Sequence, residues 1–134
     1  MHVDGSCHCG AIQYEAEIDP DAAMICHCTD CQTLSSTAFR VNAPANAKDF
    51  SIIKGNPKEY VKFGESGRRR AQGFCSNCGT QIYATSAEEP RTIFMIRVGT
   101  MTQRAKVTPK IQAWHRSSLK WLGQLSEIPA LEKT

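Results

Sequence analysis

From Ala11 to Glu17 the chain alternates, with Ile12, Tyr14 and Ala16 on one side and Gln13, Glu15 and Glu17 on the other. A period of two over this length predicts a half-buried strand. Shorter stretches of strand character follow at Thr37 to Val41, Phe50 to Lys54 and Glu59 to Phe63, divided by turn sequences at Asn42-Ala43-Pro44 and Gly55-Asn56-Pro57. Arg69 to Phe74 and Gln81 to Thr85 flank a cysteine pair as two hairpin arms flank a turn. Thr92 to Val98 is almost wholly apolar or β-branched, the pattern of a central strand covered on both sides. Lys110 to Trp114 adds one more candidate. Helix is scarce: Thr29-Asp30-Cys31-Gln32 reads as a capping box opening one or two turns, and Ser118 to Leu122 as a further short turn. The pattern predicts a mainly β domain of several short antiparallel sheets with little helix.

Composition narrows the class. A chain of 134 residues has the length of a single domain, with no repeat or linker to divide it. At 41% hydrophobic and 22% charged it is neither a disordered tail nor a membrane protein. No apolar run approaches the roughly 18 residues of a spanning helix. Met1 to Ser6 carries neither the basic nor the apolar part of a signal peptide, so the expected location is the cytoplasm. There the seven cysteines are expected as thiols or metal ligands, and an odd number cannot close a disulfide framework. Ten aromatic residues (Trp, Tyr and Phe together) make a thin core for this length, which bound metal would reinforce.

The formal charge of +3 hints at an anionic partner, but it counts every cysteine as a neutral thiol. Two Zn²⁺ on seven thiolates cancel it. Nucleic acid then loses most of its electrostatic support as a partner, leaving only the run Arg68-Arg69-Arg70.

The cysteines form three groups: Cys7-His8-Cys9, Cys26-His27-Cys28-Thr29-Asp30-Cys31, and Cys75-Ser76-Asn77-Cys78. Structural zinc takes four closed ligands, and catalytic zinc takes three with one open position. Seven divides naturally in that way. Cys26, Cys28 and Cys31 suffice for a three-ligand site, leaving Cys7, Cys9, Cys75 and Cys78 to close a tetrahedron between distant segments. One zinc with three spare thiols is an alternative, and redox-active cysteines are another. His8 and His27 sit between ligand cysteines, with their side chains expected to point away from an ion. Asp30 reads as a helix-start charge, with acceptance of the proton from a bound thiol as the alternative, His115 as a surface residue, with proton transfer as the alternative, and Trp114 and Trp121 as core or pocket wall.

The chain resembles the glutathione-dependent formaldehyde-activating enzyme family, with its CENP-V/GFA domain. The resemblance rests on Gly5-Ser6-Cys7-His8-Cys9-Gly10-Ala11-Ile12-Gln13-Tyr14, on Cys26-His27-Cys28-Thr29-Asp30-Cys31 with Ser36-Thr37-Ala38-Phe39, and on Arg69-Arg70 with Phe74-Cys75-Ser76-Asn77-Cys78-Gly79-Thr80. Val98-Gly99-Thr100-Met101 and the region of Trp114 and Trp121 extend it, so that it covers about residues 4 to 122 and leaves 123–134 as a tail. It implies a small β-rich zinc domain of β-tent or Mss4-like type, with two zinc ions per chain. It also implies Cys7, Cys9, Cys75 and Cys78 on a structural zinc and Cys26, Cys28 and Cys31 on a catalytic one.

Three thiolates leave an open position where a thiol loses its proton and becomes a nucleophile. The expected activity is that of a zinc-dependent carbon–sulfur lyase or synthase, joining glutathione and formaldehyde to S-hydroxymethylglutathione or cleaving the adduct. The expected partner is a small thiol such as glutathione, whose carboxylates make Arg69 and Arg70 candidate substrate-binding residues, with Arg68 and Arg40 nearby. A run of three arginines can equally be a solvated strand end, because alternation sends neighbours to opposite faces. Two other readings stand: a non-catalytic zinc module for nucleic acid or protein, and a metal-handling or thiol-reactive protein. Sequence leaves the oligomeric state open.

Overall fold

The computed structural model describes residues 1–134. Ten strands run in chain order as β1 (His2–Ser6), β2 (Gln13–Glu17), β3 (Met24–Cys26), β4 (Arg40–Asn46), β5 (Phe50–Lys54), β6 (Lys58–Phe63), β7 (Arg69–Phe74), β8 (Gln81–Ser86), β9 (Ile93–Arg97) and β10 (Ile111–Ala113). One α-helix, α1 (Thr29–Ser35), follows β3, and the remaining helix is 3₁₀ in short pieces. The strands form two sheets, β1-β2-β5 and β10-β3-β4-β9-β8-β7-β6, so the mainly β expectation holds. All pairings are antiparallel except β10 on β3. No helix is long and apolar enough to cross a membrane.

The alternation of β2 does what its period requires: Tyr14 and Ala16 are buried while Gln13, Glu15 and Glu17 face water. The two sheets meet through an aromatic cluster. Phe50 of β5 stacks on Phe94 of β9 at 4.7 Å, and its ring also meets Tyr83 of β8 and Tyr14 of β2. Such contacts add to the area they bury.

Several sequence expectations change in detail. The turn expected at Asn42-Ala43-Pro44 lies inside β4, and the strand expected at Thr37 to Val41 begins only at Arg40. Pro44 is tolerated because β3 pairs with β4 only from Arg40 to Asn42, so at Pro44 β9 is the one neighbour. The helix is capped one residue earlier than the box suggested, for Cys28 is the N-cap and Thr29 the first helical residue. β9 is central in its sheet, yet it is covered on both sides only towards its end, Ile93 being 40% exposed. The helical stretch expected at Ser118 to Leu122 is 3₁₀ and extends over Lys120–Glu127. Strands β1 and β3 carry no alternation long enough to mark them in the sequence.

Registers divide the larger sheet into two unlike faces. Ala43, Tyr83, Thr85 and Ile96 lie on the face turned to the core. The other face carries Cys26, Arg40, Asn42, Arg97, Gln72, Arg70 and Lys62, linked strand by strand through cross-strand pairs. Helix α1 lies over this polar face: Lys62 Nζ meets Asp30 Oδ2 at 2.6 Å, and Gln81 Nε2 donates to the Leu34 carbonyl at 2.8 Å.

Candidate metal centres and cleft

Two hairpin tips build the first cluster. The β1–β2 connection carries Cys7 and Cys9, and the β7–β8 connection carries Cys75 and Cys78. Each tip is a tight turn: Gly10 N–H donates to the Cys7 carbonyl at 3.1 Å and Gly79 N–H to the Cys75 carbonyl at 2.8 Å. Both glycines have positive φ, +78° and +77°, a region a side chain would strain. Thr80 ties the tips together, its Oγ1 accepting from His8 N–H at 3.1 Å and lying 3.2 Å from Cys78 Sγ. The four sulfurs all lie within 4.8 Å of one another, with Cys7 to Cys9 at 3.6 Å and Cys9 to Cys75 at 3.8 Å. Thiolates about 2.3 Å from a tetrahedral zinc stand about 3.8 Å apart, so the donor set fits that ion, and it is too wide for disulfides. The Thr80 hydroxyl and backbone amides pull the Cys78 thiol down to about 5.

The second cluster forms where β3 ends and α1 begins. Cys26 closes the strand, Cys28 caps the helix by accepting from Cys31 N–H at 3.2 Å, and Cys31 stands in the first turn. Their sulfurs also lie within 4.8 Å of one another, and all three residues are half-buried. Cys26 falls to about 5, chiefly through its hydrogen bond with Cys31, and Cys31 rises in consequence. No fourth cysteine joins them, which fits a metal held by three protein ligands.

Beside Cys28 opens a cleft of about 900 Å³. Its walls are Thr29 and Asp30, the β6–β7 turn from Phe63 to Ser66, and Trp114, Arg116 and Ser117. Its charges are paired across it, Lys62 with Asp30 and Arg116 with Glu65 at 3.7 Å. Arg116 also lies over the Trp114 ring at 5.0 Å.

The predicted cysteines therefore come together as four and three. Arg69 and Arg70 do not come together: they are neighbours on β7 and point to opposite faces. Arg69 pairs with Glu88 at 2.9 Å, and Arg70 is half-buried on the polar face. The run Arg68-Arg69-Arg70 consequently makes no continuous basic surface. Asp30 is held by Lys62, and Trp114 is a cleft wall. His27 is buried, with Nε2 2.7 Å from Gln112 Oε1 and the ring edge-on to His115. Arg97 is not marked by the pattern, because the run around it is otherwise apolar, yet a charge inside a central strand is itself the signal.

The family model for glutathione-dependent formaldehyde-activating enzyme matches residues 2–117. A crystal structure of a Rhodobacter sphaeroides protein superposes with a TM-score of 0.62 at 20% identity, covering 82% of this chain and 99% of that one. At that identity the likeness is one of fold.

Proposed function

The chain belongs to the glutathione-dependent formaldehyde-activating enzyme family, and on that premise we propose that it is a zinc-dependent carbon–sulfur lyase or synthase acting on the adduct of glutathione and formaldehyde. The observation that carries the reading is the incomplete ligand set, three clustered sulfurs of which that of Cys28 belongs to the wall of an open cleft. In this reading Cys26, Cys28 and Cys31 hold the catalytic zinc, and Cys7, Cys9, Cys75 and Cys78 a structural one. When bound, a zinc with an open position lowers the pKa of an incoming thiol and favours its nucleophilic form. In the synthetic direction the sulfur–carbon bond forms as the carbonyl π bond opens, and the thiol proton ends on the former carbonyl oxygen. The reverse step restores both reactants.

The chain's own residues orient the substrate. The cleft offers two cations and two carboxylates at its mouth, Lys62, Arg116, Asp30 and Glu65, which suits a zwitterionic tripeptide better than a simple anion. Trp114 provides a flat apolar wall. Of the two predicted arginines, Arg70 shares the sheet face of Lys62 and is the better placed for a carboxylate.

The test combines metal content with exchange between free and adduct glutathione, followed by NMR. We expect two zinc ions per chain, one removed by mild chelation together with catalysed exchange. A single tightly held zinc, or exchange at the uncatalysed rate, would overturn the reading.

A further inference from the structure

The polar face of the larger sheet buries two guanidinium groups without a carboxylate. Arg40 is 6% exposed and Arg97 7%. Arg40 donates to Gln72 Oε1 at 3.2 Å and to Gln81 Oε1 at 2.7 Å. Arg97 donates to Asn42 Oδ1 and to the same Gln72 Oε1, each at 2.5 Å, while its Nε has no partner. Every acceptor is a neutral amide. The chain's ion pairs all involve other residues. Charges buried in this way are strongly disfavoured unless an opposite charge lies close.

The negative groups whose charge acts on them are the cysteines of the open centre, Cys26, Cys28 and Cys31 on Arg40 and Cys26 and Cys31 on Arg97. Arg40 stands directly across from Cys26 in the β3–β4 ladder, so both side chains leave the same face. Arg97 is joined to Arg40 through the shared Gln72 oxygen. Three thiolates and a divalent ion carry one net negative charge between them, which matches only one of the two arginines. An anionic fourth ligand supplies the second negative charge, and a neutral ligand leaves one buried cation unmatched. Arg70 needs no such partner because it is only half-buried.

We propose that Arg40 and Arg97 are positioning residues forming a fixed dicationic seat, which selects an anionic fourth ligand, such as a thiolate, over a neutral one at the Cys26, Cys28 and Cys31 centre. The inference rests on the preceding reading only in taking that centre to hold a divalent metal. Gln72 is the hinge of the seat, since one oxygen fixes both guanidinium groups.

The test uses the cobalt(II)-loaded full chain, with ligand binding at the open centre read as visible difference spectra. Thiocyanate serves as the anionic probe, imidazole as the neutral one, and glutathione is titrated separately. Arg40→Gln and Arg97→Gln are each expected to weaken thiocyanate about tenfold while imidazole changes less than about twofold. Arg40→Lys keeps the charge and is expected to keep the ratio of the two affinities. Where Arg40→Gln does not fold, Arg40→Lys and Arg97→Gln still decide. Equal weakening of both probes, no change in either, or a ratio lost in Arg40→Lys overturns the seat. If thiocyanate discriminates but glutathione does not bind, the seat stands and the glutathione reading falls. If the centre takes up no cobalt, both fall.

Discussion

Gly73 lies across from Tyr83 in the β7–β8 ladder, and a Cβ on it would come within 2.3 Å of the tyrosine ring. Gly5 stands in the same relation to Tyr14, at 2.4 Å. Each glycine lets a ring lie flat over a neighbouring strand. Gly73→Ala is expected to destabilise the chain by about 1–3 kcal/mol in urea unfolding, because the ring has packed neighbours behind it. A second residue-scale prediction concerns Glu59, which accepts from Arg91 at 2.6 and 2.9 Å and from the Tyr83 hydroxyl at 2.9 Å. The Arg91 bonds hold its carboxyl below the ordinary 4.5. A depressed carboxylate binds fewer protons folded than unfolded, so its contribution is complete above about pH 4.5 and disappears as pH falls through the native value. Glu59→Gln should therefore lower the melting temperature at pH 7, by about 1 kcal/mol of stability, with the gap from wild type closing in acid. At this scale the sequence was legible where chemistry is local. The cysteines announced themselves by spacing, whereas the neutral partners of Arg40 and Arg97 come from strands far along the chain, and no local pattern reveals them.

Among the elements, the positions of the strands are more legible than their limits. β2, β7 and β8 were visible because alternation, or a hairpin around a cysteine pair, marks them. β3 is three residues long and β4 crosses a proline, so neither could be bounded by propensity. The capping box marks the helix but places its cap one residue late, because a cysteine sulfur takes the place usually held by a hydroxyl or carboxylate. The hairpin tips lend themselves to a test of their own. Thr80→Val removes the hydroxyl that accepts from His8 N–H and meets Cys78 Sγ. Loss of such a bond costs about 1 kcal/mol, and we expect zinc release from the four-cysteine cluster to quicken roughly fivefold, followed with a chromogenic chelator. The three-cysteine cluster should be unaffected.

On the scale of the molecule, the two cysteine clusters, as the proposed zinc sites, would do different things to the same β framework. The four-cysteine cluster joins the smaller sheet to the larger one, while the three-cysteine cluster lies on the far polar face beside the cleft. Chelation should consequently proceed in two stages. Early loss of the ion at the open centre should leave near-ultraviolet dichroism intact, and later loss at the closed centre should remove the tertiary signal. Cys31→Ser should retain the fold with one zinc, whereas Cys75→Ser should give a chain that is largely unfolded or aggregated, since structural zinc contributes about 10–16 kcal/mol in small modules. The family and the four-and-three division were legible in the sequence, because both reside in the motifs. The two-faced sheet was not, because it depends on which strands become neighbours.

The division of the closed centre between two hairpin tips also bears on how the chain matures. Cys9 and Cys75 are 66 positions apart, and each tip alone offers an ion only two sulfurs. If the cluster holds the proposed zinc, a nascent chain with only the first hairpin would offer two ligands and bind it weakly. Firm capture would wait until the second hairpin has been synthesised and docked, when the two pairs act as linked halves at high effective concentration. Retention of the proposed zinc would then report the meeting of the sheets: a chain holding an ion on all four sulfurs must have brought its beginning and its middle together.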